Sequence, residues 1–174
     1  LEACGTRGRA PFKQVLTNGF TLDEKGYKMS KSVGNTVDPF KICDQYGADI
    51  LRLWAVNTDY TEDVRIGMNM MKYQADSYRR LRNTLRFLLG NMADLKKSEI
   101  VDLDDDKMPE LERYILHRLS EMDGLVKKHY ANYEFNKLYA ILQNFCTVEL
   151  SALYFDIRKD RLYCDDKNGF ERRA

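Results

Sequence analysis

The stretch "GYKMSKSVGNTVDPFKICDQYGADILRLW", residues 26–54, joins a polar loop to two helical segments. Its first part places Lys28 and Lys31 three residues apart, with serines beside them and a glycine at each end. This part is too polar for a core, and its glycines disfavour a stable helix. It predicts a mobile loop whose ammonium and hydroxyl groups suit a ligand with several negative charges, such as a triphosphate. A solvated surface turn explains the same composition, so the residues alone leave both interpretations open.

The residues on either side of this loop predict a small α+β region. Asp38 is a helix N-cap with a proline after it, and Gly47 can end that helix. The stretch "ADILRLWAVN" continues as a second helix. Short β-rich runs supply the strand candidates. These are Gln14–Thr17, Phe20–Asp23 and Val64–Ile66, the first two separated by the hairpin signal Asn18-Gly19.

Beyond this region the chain shows only helical periodicity. Apolar residues recur at steps of three and four over roughly 68–96, 110–130 and 135–163. The third segment is apolar nearly all round, which predicts a central position in a bundle. The acidic stretch Asp102–Pro109 is predicted as a linker. The fold class is therefore mainly α, with an α+β domain over 1–66 and a helical domain over 67–174.

Composition and charge limit the possible functions. The chain has 28 Lys and Arg against 27 Asp and Glu, a formal net charge of +1, so any nucleic-acid partner must meet a local basic patch. Its four cysteines have no CxxC spacing and its two histidines lie far apart, so we expect no metal site and a reducing compartment. No apolar run reaches the length of a membrane span, and we expect no membrane partner.

Arginines cluster on the first long helical segment. Arg79, Arg82 and Arg86 share one arc of a helical wheel beside the apolar stripe, and we expect Arg79 and Arg80 to face outward. One interpretation is a basic ridge that pairs with RNA phosphates.

The alternative for two of these arginines is internal ion pairing. Glu149 and Asp156, seven residues apart, fall on the predicted apolar face of the third segment. Because buried carboxylates need charged partners, we expect Arg82 or Arg86 to pair with one of them and fix two helices in register.

The literal string "KMSKS" at residues 28–32 carries a family resemblance. It is the signature of the class I aminoacyl-tRNA synthetases, and "VGNTVDPFKICDQYGADILRLW" after it resembles the isoleucyl, valyl and leucyl branches. "GADILRLWAVNTDYTEDVRI" is most similar to the isoleucyl branch. "ADSYRRLRNTLRFLLGN" and "SALYFDIRKDRLYCD" are similar to that branch's anticodon-binding domain. The resemblance covers essentially all 174 residues, with the motifs in the family's order.

The resemblance implies a fold and a set of site residues. It implies the end of a Rossmann-type catalytic domain, including a stem-contact-like region, followed by an incomplete anticodon-binding helix bundle. Lys31 would stabilise departing pyrophosphate while the carboxylate of isoleucine attacks ATP, and Lys28 would assist at the phosphates. Met29, Ser30 and Ser32 would complete the ATP contact. The implied ligands are ATP with Mg²⁺, isoleucine and the isoleucine tRNA, in a cytoplasmic and monomeric ligase.

The family's other signature, the HIGH motif, does not occur in the chain. We therefore expect this sequence to be a piece of a larger ligase that holds half of an active site and is inactive alone. Two alternatives stay open: a segment of a valyl or leucyl enzyme, and a non-catalytic RNA-binding helical module that kept the loop by descent.

Overall fold

The computed structural model describes residues 1–100 and 107–173. These residues form two compact units. The first unit contains residues 1–37 and 59–67, and the second contains residues 38–58 and the chain from residue 68 onward. Most of the predicted linker, residues 102–106, lies outside the described residues.

The first unit is built around two short strands and one short helix. Helix α1 is Glu2–Arg7, strand β1 is Thr21–Leu22 and strand β2 is Val64–Arg65. The strands are parallel, in a register that pairs Thr21 with Val64 and Leu22 with Arg65. The predicted strands at Phe20–Asp23 and Val64–Ile66 are therefore confirmed, with shorter bounds.

The predicted hairpin at Asn18-Gly19 is wrong. Residues 14–17 form no strand, and the Gly19 N–H donates instead to the carbonyl of Tyr60, 2.8 Å away. A Cβ at Gly19 would lie 2.2 Å from the carbonyl oxygen of Glu62, so glycine is required by this close approach of two backbones. The Asn-Gly signal thus marks where the chain enters a parallel pair, because glycine serves close contacts as well as turns.

The second unit is helical. It contains α2 (Pro39–Tyr46), α3 (Ala48–Asn57), α4 (Met68–Asn91), a 3₁₀ turn (Lys97–Glu99), α5 (Glu110–Ala131), α6 (Phe135–Asn144), a π-helical segment (Phe145–Tyr154), α7 (Phe155–Cys164) and α8 (Phe170–Arg173). The Asp38 cap is confirmed: its carboxylate accepts from the N–H of Phe40 at 2.9 Å, with proline in the first helical turn. The three long predicted helical segments are confirmed, and with them the mainly α class.

The π-helical segment changes which side chains of the third long helical run are buried. Phe145, Leu150 and Phe155 are all buried and lie five residues apart, matching the i→i+5 hydrogen bonds of a π-helix. They form a core cluster with Ile115 of α5, and the ring of Phe155 stacks on that of Phe87 in α4 at 4.5 Å. An α-helical wheel cannot reproduce this spacing, so the face predicted for this run is wrong beyond residue 145.

Helix α4 buries fewer apolar residues than its predicted stripe implies. The three- and four-residue spacing over 68–96 puts Leu85 and Met92 on one apolar stripe, but both are exposed. The polar Gln74 and Thr84 are buried instead. Gln74 donates to the Tyr139 hydroxyl at 2.8 Å and accepts from the Asn57 amide at 3.3 Å. This network links α3, α4 and α6, so polar contacts replace part of the expected apolar packing.

Helices α2 and α3 pack within the second unit. Ile42, Ile50 and Met71, from α2, α3 and α4, are buried. The chain therefore passes from one compact unit to the other after residues 37, 58 and 67. The reason is that α2 and α3 share a core with α4.

Candidate functional site

The lysine loop, residues 28–35, starts from a tight turn after β1. Lys28 forms an antiparallel bridge with Leu22, and the turn between them is closed by the N–H of Asp23 donating to the carbonyl of Tyr27 at 2.9 Å. The Asp23 carboxylate accepts from the backbone N–H groups of Lys25 and Tyr27 at 3.0 and 2.8 Å. The Tyr27 bond, followed by one from Asn35, lowers the pKa of the Asp23 carboxyl below its usual range.

Asn35 closes the far end of the lysine loop. Its side-chain oxygen accepts from the N–H of Ser30 at 2.8 Å. Its amide donates to Asp23 Oδ2 at 2.9 Å and to the carbonyl of Lys28 at 3.2 Å. The N–H of Gly34, at a φ of 75°, donates to the Ser30 carbonyl at 3.1 Å. One side chain thus joins the two ends of the loop and the turn before it.

The two lysines of the loop have different surroundings. The ammonium of Lys28 lies 5.6 Å from the centroid of the Phe20 ring, within cation–π range. Lys31 is exposed and has no ion-pair partner among the described residues. The hydroxyls of Ser30 and Ser32 are 2.7 Å apart and hydrogen-bonded to each other. The loop therefore offers one anchored and one unpaired cation with two hydroxyls, a set that can bind a polyphosphate.

Sequence reasoning missed Asp23 and Asn35 as parts of this site. The run from Asp23 to Gly26 is an Asp-x-x-Gly turn pattern, but the periodicity placed Asp23 at the end of a strand. Asn35 directly follows Gly34, and the Gly-Asn pair is a local turn signal in the sequence. In the structure Gly34 has a positive φ, and the Asn35 side chain turns back on the loop.

The four candidate RNA-binding arginines of α4 all have exposed side chains: Arg79, Arg80, Arg82 and Arg86. Arg79 forms an ion pair with Asp76 one turn earlier, at 2.9 Å. Such an exposed pair within one helix stabilises weakly, so it leaves the guanidinium available to an anion.

The predicted ion pairs of Glu149 and Asp156 with Arg82 or Arg86 are wrong. Glu149, with a side chain 14% exposed, accepts two bonds from Arg118 of α5, at 2.9 and 3.0 Å. Asp156 is exposed and pairs with Lys159 in its own helix at 2.8 Å. The π-helical segment explains the separation of the two carboxylates, since residues seven apart share a face only in an α-helix. Arg82 and Arg86 pair with neither carboxylate.

A second ion pair lies in the interior of the helical unit. Arg158 Nε of α7 is 3.0 Å from Glu112 Oε1 of α5, and both side chains are at most 5% exposed. The contact is not aligned as a hydrogen bond, and neither Glu112 oxygen has a hydrogen-bond partner within residues 1–100 and 107–173. Both residues border a cavity of about 310 Å³ whose wall is mostly apolar. This pair was not predicted, because α5 and α7 meet only in the tertiary structure.

Residues 1–100 and 107–173 contain neither a candidate metal centre nor a membrane-spanning helix. No group of three or more His, Cys, Asp or Glu side chains there could hold a metal ion. Within the same residues, no helix combines the length and the apolar character needed to cross a membrane.

Both regions of the chain match family models of tRNA synthetases or tRNA ligases. Residues 2–67 match the family model described as tRNA synthetases class I (I, L, M and V). Residues 112–174 match the anticodon-binding domain of tRNA ligase.

Curated relatives match the whole chain. It is 56% identical over 174 residues to an isoleucine–tRNA ligase of Ruegeria pomeroyi, 53% over 175 residues to that of Pelagibacter ubique and 54% over 174 residues to that of Caulobacter vibrioides. Each match covers 100% of this chain and 18% or 19% of the relative, so the chain spans about a fifth of the length of these ligases.

A solved structure has a similar fold. It is the ternary LeuRS–tRNA–LeuAMS complex from Agrobacterium radiobacter, with a TM-score of 0.72 and 23% identity. The match covers 86% of this chain and 18% of the LeuRS chain.

Proposed function

Because this chain belongs to the class I aminoacyl-tRNA synthetases and is homologous to isoleucine–tRNA ligases over its whole length, we propose that it is a working part of an isoleucine–tRNA ligase. The intact enzyme activates isoleucine with ATP and transfers it to the isoleucine tRNA. The observation that carries this proposal is more than 50% identity along all 174 residues to ligases of that one specificity. No comparable observation favours a valyl or leucyl enzyme or a non-catalytic module.

The proposed role of the lysine loop is to bind the phosphates of ATP. Lys31 is exposed and unpaired among the described residues, so its ammonium is free to meet negative charge that grows as pyrophosphate leaves. Lys28 assists from its anchored position beside Phe20. Ser30, Ser32 and the backbone of Met29 supply the remaining polar contacts. Mg²⁺ enters with the nucleotide, and we assign it no ligands from the described residues.

We propose a separate role for each of the two predicted domains. Residues 1–66 would be the end of the catalytic domain with its stem-contact-like region, and residues 67–174 would be part of the anticodon-binding domain. The exposed guanidinium groups of Arg79, Arg80, Arg82 and Arg86 would contact tRNA phosphates, which gives affinity that falls with salt. The proposed ligase is cytoplasmic and monomeric.

Replacement of Lys31 by alanine in the full-length ligase tests this function. We expect isoleucine-dependent ATP–pyrophosphate exchange to fall about 10²- to 10³-fold, the usual effect of removing one preorganised group that stabilises transition-state charge. Binding of tRNA should be nearly unchanged. Lys41→Ala, which removes an exposed lysine of α2, is the matched control and should exchange at the wild-type rate. An unchanged exchange rate in Lys31→Ala would refute the catalytic role of the loop.

A further inference from the structure

We propose that Asn35, held by Asp23, is a positioning residue for ATP activation. It fixes the closed turn that presents Lys28 and Lys31 to the phosphates; this inference rests on the proposed function of the loop. Asn35 touches neither lysine ammonium in the structure, and its bonds go to the backbone of Lys28 and Ser30 and to Asp23.

The first argument is the number of bonds that converge on one side chain. The loop from residue 28 to residue 35 has two ends that strand pairing alone would not hold together. The Asn35 amide bonds one end at the Lys28 carbonyl, and its oxygen bonds the N–H of Ser30. A single amide group thereby fixes the backbone on both sides of Met29, in the stretch that joins Lys28 to Lys31. Alanine at position 35 removes all of these bonds.

The second argument concerns the charge of Asp23. Its Oδ1 is engaged by two backbone N–H groups, and its Oδ2 by the Asn35 amide. These bonds favour the ionised form, in line with the lowered pKa of Asp23. Asn35 therefore joins the backbone of the loop to an ionised carboxylate that the preceding turn already holds in place.

The third argument comes from catalytic geometry. Transition-state stabilisation by preplaced cations depends on position to within a fraction of an ångström, and a misplacement of about 1 Å can lower the rate about 100-fold. Lys31 has no ion pair among the described residues to hold it, so its position depends on the backbone of the turn. The bond from Gly34 to Ser30 and the Asn35 bonds are the contacts that define that turn.

The test measures ATP–pyrophosphate exchange by the full-length ligase. For Asn35→Ala we expect kcat to fall between tenfold and 100-fold, with the KM for isoleucine unchanged. Asn18→Ala is the matched control, because the Asn18 side chain is exposed and, within the part of the chain that the structure describes, donates only to the neighbouring carbonyl of Gly19. Its rate should equal that of the wild type. If Asn35→Ala matches this control while Lys31→Ala is slow, the positioning role is refuted and the proposed function stands.

A double-mutant cycle separates positioning from other effects. Because Asn35 is proposed to place Lys31 as well as Lys28, adding Asn35→Ala to Lys31→Ala should lower kcat by a smaller factor than Asn35→Ala does in the wild type. Full additivity of the two effects would overturn the proposal. If Lys31→Ala is itself as fast as the wild type, the proposed function of the loop fails first.

A charge swap tests the contact with Asp23 directly. Asn35→Asp places a carboxylate against Asp23 Oδ2, where the amide now lies at 2.9 Å, and should slow exchange at least as much as alanine does. Adding Asp23→Asn restores a donor opposite an acceptor, and kcat should recover at least fivefold over Asn35→Asp alone. Absence of recovery would contradict the proposal.

Limited proteolysis gives a readout that does not depend on activity. Trypsin cleavage after Lys28 and Lys31, mapped by mass spectrometry, should accelerate at least fivefold in Asn35→Ala and return toward the wild-type rate in the swapped variant. Equal cleavage rates in Asn35→Ala and Asn18→Ala would contradict a loop held by Asn35.

Discussion

The buried ion pair between Glu112 and Arg158 makes the sharpest stability prediction. At 3.0 Å the attraction between the two charges amounts to about 5 kcal/mol at an effective dielectric constant of about 20. Removing two ions from water costs several kcal/mol each, so the pair is close to neutral as a whole. Removal of one partner is different, because the remaining charge stays at most 5% exposed without compensation. Arg158→Met should therefore destabilise the helical unit by about 3–5 kcal/mol.

The double replacement is the control for this reasoning. Glu112→Leu combined with Arg158→Met removes both charges and leaves apolar side chains next to the mostly apolar cavity. Its local stability should lie within about 1 kcal/mol of the wild type, and clearly above that of either single variant.

Hydrogen exchange of the full-length ligase, read by mass spectrometry, provides the assay. Peptides of α5 and α7 should exchange about two to four orders of magnitude faster in Arg158→Met, since about 1.4 kcal/mol corresponds to a factor of ten. Exchange in the double variant should return to near the wild-type rate. If both variants exchange equally fast, or if Arg158→Met resembles the wild type, the account of the pair as mutually compensating charges is refuted.

Two further predictions concern the same helical unit. Tyr139→Phe removes the hydroxyl that accepts from the buried Gln74 amide, and should lower local stability by about 1–3 kcal/mol, seen as faster hydrogen exchange in α4 and α6, with Tyr163→Phe on the surface as control. Glu134 has its pKa lowered to about 2 mainly by the ammonium of Lys137, so its stabilisation is fully present above about pH 4.5 and is lost as the pH falls toward 2. The urea midpoint of wild type should exceed that of Glu134→Gln at pH 7, and the difference should vanish once the pH is below about 2. A difference that persists below that pH would contradict the ion-pair origin.

Local sequence signals predicted most of the helical elements. The Asp38 cap, the proline after it and Gly47 set the bounds of α2, and apolar spacing located the three long helical runs. These signals act between residues within about one turn of each other, so they survive without knowledge of the fold. The KMSKS string also identified the loop, because five consecutive residues can be recognised without knowledge of the fold.

The sequence predicted less well which side chains form ion pairs with each other. The α-helical wheel placed Glu149 and Asp156 on one face, but the intervening π-helical segment separates them, and Arg118 pairs with Glu149. Periodicity assumes a constant angle per residue, and a change of helix type inside one run breaks that assumption. The hairpin signal at Asn18-Gly19 failed for a related reason, since glycine permits a close approach as readily as a turn.

By itself, the sequence determined where α2, α3 and the three long helical runs lie, where the lysine loop lies and which family the chain resembles. The tertiary structure alone decided that β1 pairs in parallel with a strand more than forty residues away, and that Asn35 reaches back twelve residues to Asp23. It also decided that Glu112 and Arg158 share one buried site. The physical reason is that caps and periodicity act through neighbours along the chain. A hydrogen bond or ion pair forms only when packing brings two distant groups within about 3 Å of each other in the right orientation.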